Sequence, residues 1–369
     1  MSQASGIRPV GYLDCAGGGQ VVVRDGVAYV AHMQPPHGTS IVDVSDPARP
    51  RLLAEVRVPP GSHSHKVQVH DGLMLVNREA YPPGPVASGF DGGLRIYDVS
   101  RPSAPREIGS YACRGLHRFT FDGRHAYLSP DLEGYLGNIV MILDLAEPTR
   151  PEEVGRWWMP GQWTAGGETP SWKGREHRCH HPLRLGNRLY AGYWHGGFVI
   201  LDVDDMRKPR FVSGLDWSPP FPWPTHTTLP IPFPLMGRRV LVVSDEDVRR
   251  LAPSPPSFLW LVDITDETRP VPFASFQVEG VDGSPQPEFT GCHQPCEEVR
   301  GTEIPVAWFA HGLRIVDIAR PHAPREVASF VPPVPAGSER VSSNDVCMDA
   351  RGLLYLIDRQ RGLHILERT

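Results

Sequence analysis

The stretch Gly93-Leu-Arg-Ile-Tyr-Asp98-Val-Ser-Arg-Pro returns as Gly312-Leu-Arg-Ile-Val-Asp317-Ile-Ala-Arg-Pro. Looser copies are Ser40-Ile-Val-Asp43, Val140-Met-Ile-Leu-Asp144, Phe198-Val-Ile-Leu-Asp202, Leu259-Trp-Leu-Val-Asp263 and Gly362-Leu-His-Ile-Leu-Glu367. The acid recurs at 43, 98, 144, 202, 263, 317 and 367, at intervals of 46 to 61 residues. A period of that size marks a repeated supersecondary unit. Each run is short, apolar and rich in branched residues, which reads as a buried strand. Its acid and a nearby proline turn the chain into another strand, as in Pro105-Arg-Glu-Ile-Gly-Ser-Tyr111 and Pro324-Arg-Glu-Val-Ala-Ser-Phe330. Upstream, two further strands flank tight turns such as Asp71-Gly72, Asp122-Gly123 and Gly186-Asn187. These are hairpin signals.

Four strands per unit at this spacing predict an all-β fold, a seven-bladed β-propeller. The expected organisation is one domain over residues 1–369. Its blades fall at roughly 20–57, 65–112, 117–159, 180–215, 226–279, 293–331 and 344–369. The last unit has three strands, and Arg8-Pro-Val-Gly-Tyr-Leu-Asp14 resembles the missing fourth. The N-terminal strand, 8–14, is therefore expected to complete the last blade and cover its edge. These residues resemble the LVIVD-repeat family of β-propellers over nearly the whole chain. The resemblance implies the fold and leaves function open, because one fold hosts many chemistries.

Composition narrows the functional classes. Lys and Arg total 37 against 42 Asp and Glu, a net charge of −5, which argues against a nucleic-acid binder. No apolar run is long enough for a spanning helix, so no membrane role is expected. The opening Met1-Ser-Gln-Ala-Ser-Gly-Ile-Arg has no apolar signal core. Six scattered cysteines then read as free thiols in a cytoplasmic protein. Cys296 and Cys347 read as small core residues, and Cys179 and Cys292 as accessible thiols near the channel mouth. The 37 glycines and 40 prolines show no collagen period and punctuate many short strands.

In a four-stranded blade the first strand lines the central channel. One face then carries the long insertions Ala80 to Asp91, Trp157 to Cys179, Asp216 to Thr225, Val281 to Cys292 and Val331 to Ser343. Loops gathered over a rigid scaffold are where function usually sits. They carry Trp158, Trp163, Trp172, Trp217 and Trp223, which either wall a pocket or pack the loops onto the blades.

The innermost strands begin at Gln20, His65, His117, His181 or His180, His226, His293 and Asn344. Five of these seven equivalent positions hold histidine. Converging neutral imidazoles are natural ligands for iron, copper, manganese, zinc or nickel. The expected metal ligands are His65, His117, His226 and His293, with His181 next. The run Glu176-His-Arg-Cys-His-His blurs that last register. The plainer alternative is that each histidine bonds neighbouring backbone. Ends of the second strands supply Glu79, Asp131 and Glu246 as candidate bases, and Arg78 and Arg359 as candidate clamps for a substrate carboxylate. Rim salt bridges are the plainer alternative for these.

Three readings follow. The first is a metal-dependent oxidoreductase or oxygenase acting on a small organic molecule, with iron or copper favoured and manganese or zinc as alternatives. By architecture such a site is similar to those of the carotenoid-cleaving oxygenases and selenium-binding-type thiol oxidases. The second is a metal-dependent lyase or hydrolase with a rim carboxylate as base. The third is a non-catalytic scaffold.

Overall fold

In a computed structural model of the chain, residues 3–82, 89–173, 175–248, 256–279 and 287–369 are described. The described residues are all-β apart from two single-turn 3-10 segments. No helix among the described residues is long and apolar enough to cross a membrane. The strands form antiparallel sheets in simple up-and-down order, beginning with Gly18–Arg24, Val27–His32, His37–Asp43 and Arg51–Arg57. One sheet has eight strands. It is two four-strand runs joined at a single residue pair, Trp194 with Thr225, and we count it as two units. The chain is a β-propeller with its strands zigzagging outward from a central channel.

The repeat acid is explained by local chemistry. One carboxylate oxygen of Asp98 accepts the Ser100 N–H at 3.0 Å and hydroxyl at 2.7 Å. Asp43 takes Ser45, and Asp263 takes Thr265, in the same way. This is the side-chain turn that Asp forms two residues ahead of itself. The other oxygen meets an arginine eight residues on: Arg51, Arg106, Arg210 and Arg325 lie 2.8–3.2 Å from Asp43, Asp98, Asp202 and Asp317. Glu367 pairs instead with Arg8 of the N-terminal strand.

That N-terminal strand, Ile7–Ala16, lies outermost in the last unit, antiparallel to Arg361–Arg368, as the sequence predicts. A strand absent from that reading, Gln3–Ser5, adds to the outer edge of the preceding unit through Val331, Phe330 and Ser329. The core lies between neighbouring sheets. Val21, Val30 and Val42 of the first unit pack on Tyr355, Ile357 and Ile365 of the last, which seals the circle with apolar contact. Leu356 is fully buried beside Ala307, Ile315 and Leu366. Leu356→Ala should cost about 2–5 kcal/mol, the usual range for a cavity at a closed site. Denaturant unfolding at neutral pH would measure it.

Candidate metal centre

The inner strands reach the channel mouth through irregular pairing. Register slips fall between Gly18 and Gln20, Leu116 and Phe119, His177 and His181, Thr225 and Thr227, and Ser343 and Asp345. Such bulges insert a residue and re-aim its side chain. Two consecutive residues per strand can then face the channel, where a regular strand would alternate them. The upper layer is Gly19, His65, His117, His180, His226, His293 and Asn344. Gly19 can carry no side chain, because a Cβ there would lie 2.4 Å from the His65 carbonyl oxygen. The layer beneath holds Gln20, Lys66, Arg118, His181, Thr227, Gln294 and Asp345.

The imidazoles form a continuous arc. Ring centroids step 4.3 Å from His63 to His65, 5.0 Å to His117, 4.6 Å to His180, 4.4 Å to His226 and 4.2 Å to His293. Their hydrogen bonds orient them. His63 Nδ1 donates to the Met33 carbonyl at 2.9 Å, His180 Nδ1 to the His226 carbonyl at 3.1 Å, and His293 Nδ1 to the Asn344 carbonyl. His226 Nδ1 donates to Thr227 Oγ1 at 2.7 Å, whose own hydroxyl donates to Gln294 Oε1. The bland expectation of histidine bonding neighbouring backbone is thus met on the outer nitrogen. On His180, His226 and His293 that bond fixes the tautomer that leaves Nε2 as a lone pair facing inward, whereas His63 Nε2 meets Glu79 and His65 Nδ1 accepts from Asn77 Nδ2 at 3.2 Å.

Two carboxylates complete the arc. Glu79 Oε1 lies 2.6 Å from His63 Nε2, 3.0 Å from His117 Nδ1 and 3.5 Å from His65 Nδ1. Glu246 lies 3.8 Å from His226 Nε2, 3.6 Å from His293 Nε2 and 3.6 Å from Arg359. Donor atoms of His63, His65 and Glu79 all fall within 4.8 Å of one another, and so do those of His180, His226 and Glu246.

Between these groups, His117 Nε2 faces His180 Nε2 at 2.9 Å. His180 carries a lone pair there, and so does a His117 whose Nδ1–H is donated to Glu79. Two lone pairs at that distance need a cation between them, either a proton or a metal ion. Metal–nitrogen bonds of about 2.05 Å at a right angle put the two nitrogens about 2.9 Å apart.

Burial is the main electrostatic influence. It pushes His117 down to about 4 against the pull of Glu79, and holds His65, His180, His226 and His293 well below the usual imidazole range. These rings are neutral and able to ligate at pH 7. Burial opposes ionisation of Glu79, yet the His117 and His63 rings outweigh it and hold the carboxyl low. Glu246 is pushed up by burial, with Arg359 and Arg118 opposing.

Several expected residues sit elsewhere. His181 is in the lower layer, not the arc. Its Nδ1 accepts from Arg118 at 3.0 Å, and its Nε2 lies 3.2 Å from Glu297. His180 takes the ring position, because between His177 and His181 the inner strand advances four residues while its partner advances two, from Trp194 to Gly192. Arg78 turns away from the cavity to pair with Asp91 at 2.5 Å, since its strand neighbour Glu79 takes the inward face. Asp131 lines the cavity, 3.6 Å from Arg114. Arg359 does line the cavity, held by Asn344 Oδ1 at 2.7 Å and 4.3 Å from the Phe289 ring.

Trp158, Trp163, Trp172, Trp217 and Trp223 do not line this cavity; its aromatic walls are Trp194, Tyr81 and Phe289. Trp172 stacks on His177 and Trp217 on Trp260. Cys179 and Cys292 are fully buried, and burial pushes both thiols up, so neither is an accessible thiol. Residues 83–88, 174 and 281–286 of the insertions lie outside the described residues. His63 was missed by the sequence reading. Its signal was His63-Ser-His65, two histidines on one face of a strand.

The LVIVD-repeat model matches residues 18–58, 87–113 and 305–331. The chain carries LVIVD repeats. No curated protein matches the sequence. Among solved structures, U3-55K is similar at TM-score 0.62 and 9% identity, over 97% of this chain and 98% of that one. The WD40 β-propeller domain of Doa1 is similar at TM-score 0.60 and 8% identity, over 98% and 97%. The computationally designed Ika8 protein is similar at TM-score 0.55 and 7% identity, over 97% and 98%. At these identities the likeness concerns the β-propeller fold alone.

Proposed function

We propose that this LVIVD-repeat propeller is a metal-dependent enzyme acting on a small organic molecule at its channel mouth, as an oxidoreductase or oxygenase. The observation that carries the reading is the facing pair His117 Nε2 and His180 Nε2, inside an arc whose outer nitrogens are already committed. Imidazoles suit iron and copper, and carboxylates in the same set move the preference towards iron. Such an ion, when bound, supplies redox or Lewis-acid chemistry. The cavity beside it, about 880 Å³, has room for a small substrate. Arg359, fixed by Asn344 and Phe289, suits a substrate carboxylate. With Glu79 and Glu246 among the ligand candidates, Asp131 remains as a proton acceptor at the rim; burial raises its pKa.

A second reading is favoured by the cations around the cavity. Arg114, Arg178 and Arg359 suit an acidic substrate, and a lyase or hydrolase would use manganese or zinc there. Elemental analysis of tag-free protein separates the readings. Stoichiometric iron or copper with visible absorbance supports the first, and colourless manganese or zinc the second. Failure to take up any of the four ions on reconstitution would overturn both and leave a scaffold.

A further inference from the structure

We infer that the channel mouth holds two transition-metal ions, one at His63, His65 and Glu79 and one at His180, His226 and Glu246. The inference rests on the reading of the channel mouth as a metal centre and adds the number and place of the ions. A metal–ligand bond of about 2.0–2.2 Å requires all ligands of one ion to lie within about 4.4 Å of each other. Both triads come within reach of that limit, their donor atoms lying within 4.8 Å of one another. Among the described residues, no set that spans both triads does so. Eight inward donors, six imidazoles and two carboxylates, also exceed what one first-row ion accepts.

The two triads have different origins in the chain. The first is built within one unit. His63 and Glu79 are direct cross-strand partners, and His65 is two residues along the same inner segment. The second draws on neighbouring units: His180 from one, His226 and Glu246 from the next, with His293 of a third 3.6 Å from Glu246. Local pairing sets the first site, and packing between units sets the second. Each is a two-histidine, one-carboxylate set, the donor pattern that suits Fe(II) and leaves coordination positions open.

His117 lies between them. Its Nδ1 meets Glu79 at 3.0 Å and its Nε2 meets His180 at 2.9 Å. One imidazole thus contacts a ligand of each site, and filling one site changes the partner of the other.

Cobalt(II) titration of the tag-free, metal-free full chain, read by equilibrium dialysis and elemental analysis, tests this. The wild-type protein should bind two equivalents. Glu79→Gln should bind one, Glu246→Gln should bind one, and the double variant none. His63→Gln supplies a second route to the first site, and circular dichroism establishes that each variant is folded. A wild-type protein that binds one equivalent, lost in Glu79→Gln and in Glu246→Gln alike, would overturn the two-ion inference and leave the proposed function standing. A folded wild-type protein that binds no cobalt would overturn both.

Discussion

His180→Ala should weaken metal binding at its site by more than about 100-fold, while His181→Ala, which removes no ligand nitrogen, should weaken it by less than about 10-fold. Losing even a partner behind a ligand costs 10–100-fold, and losing a ligand nitrogen costs more. The neighbouring residues separate cleanly because the strand slip aims them at different layers. His180 faces His117, and His181 faces Arg118, Glu297 and, at 3.0 Å, the Thr227 Oγ1 that holds His226. The expected signature of His181→Ala is lost stability. Arg118 Nη1 loses an acceptor and Glu297 loses a neighbour, both in buried surroundings. A buried group left unsatisfied costs about 1–3 kcal/mol. Metal affinity by competition with a chelator, beside denaturant unfolding of each variant, measures both effects. Loss of metal in His181→Ala with retention in His180→Ala would reverse the assignment.

The metal-free protein should unfold cooperatively in mild acid, with a midpoint between pH 6.5 and 4. Burial lowers His32, His117 and His181 from 6.5 to about 4. The unfolded chain therefore binds more protons than the folded one across that window. Stability is fully present above pH 6.5 and falls as pH drops towards 4. Each such ring forfeits about 3 kcal/mol by pH 4, at 1.36 kcal/mol per pH unit. Three of them match the whole net stability of an ordinary domain, about 5–15 kcal/mol. His65, His180, His226 and His293 are lowered further and add to the loss. Six carboxylates work the other way: burial raises Asp131, Asp245, Glu246, Asp247, Asp345 and Asp358, Asp245 to about 8 and Asp345 to about 7, so acidification relieves their cost. Ten lowered imidazoles outnumber them. Bound metal should shift the midpoint to lower pH, because ligation holds the rings neutral. Circular dichroism across a pH series, with and without cobalt, reads the effect. An unchanged denaturant midpoint from pH 7 to pH 4 would refute it.

The parts of this molecule that could be read from sequence are those set by local physics. Asp98 with Ser100 and Arg106 is a turn device contained within nine residues, so its recurrence exposed the repeat and then the strand order. Histidine at equivalent starts of inner strands likewise pointed to the channel mouth. What escaped was set by pairing irregularities. A slipped strand decides between His180 and His181, and no spacing within Arg178-Cys-His-His181 encodes it. Strand alternation decides that Glu79 faces the cavity and Arg78 does not, and it depends on where Gly93 pairs. His63 was within reach of the same alternation rule. Gln3–Ser5 was not, because its partner lies more than three hundred residues away.

The charged layer beneath the histidines separates the large cavity from the small one on its other side. Lys66 and Arg118 floor the first, and Glu297 and Asp345 line the second. His181, Gln20, Gln68 and Gln294 gather round Glu297 and close the bore. The propeller is then a vessel with a bottom, not a pipe. Were a reaction to run at the mouth, as proposed, spent product and fresh substrate would share one doorway. An enzyme of this shape would be slowed by its own product in direct competition with substrate, and residues at the lip would set its turnover as much as those at the centre.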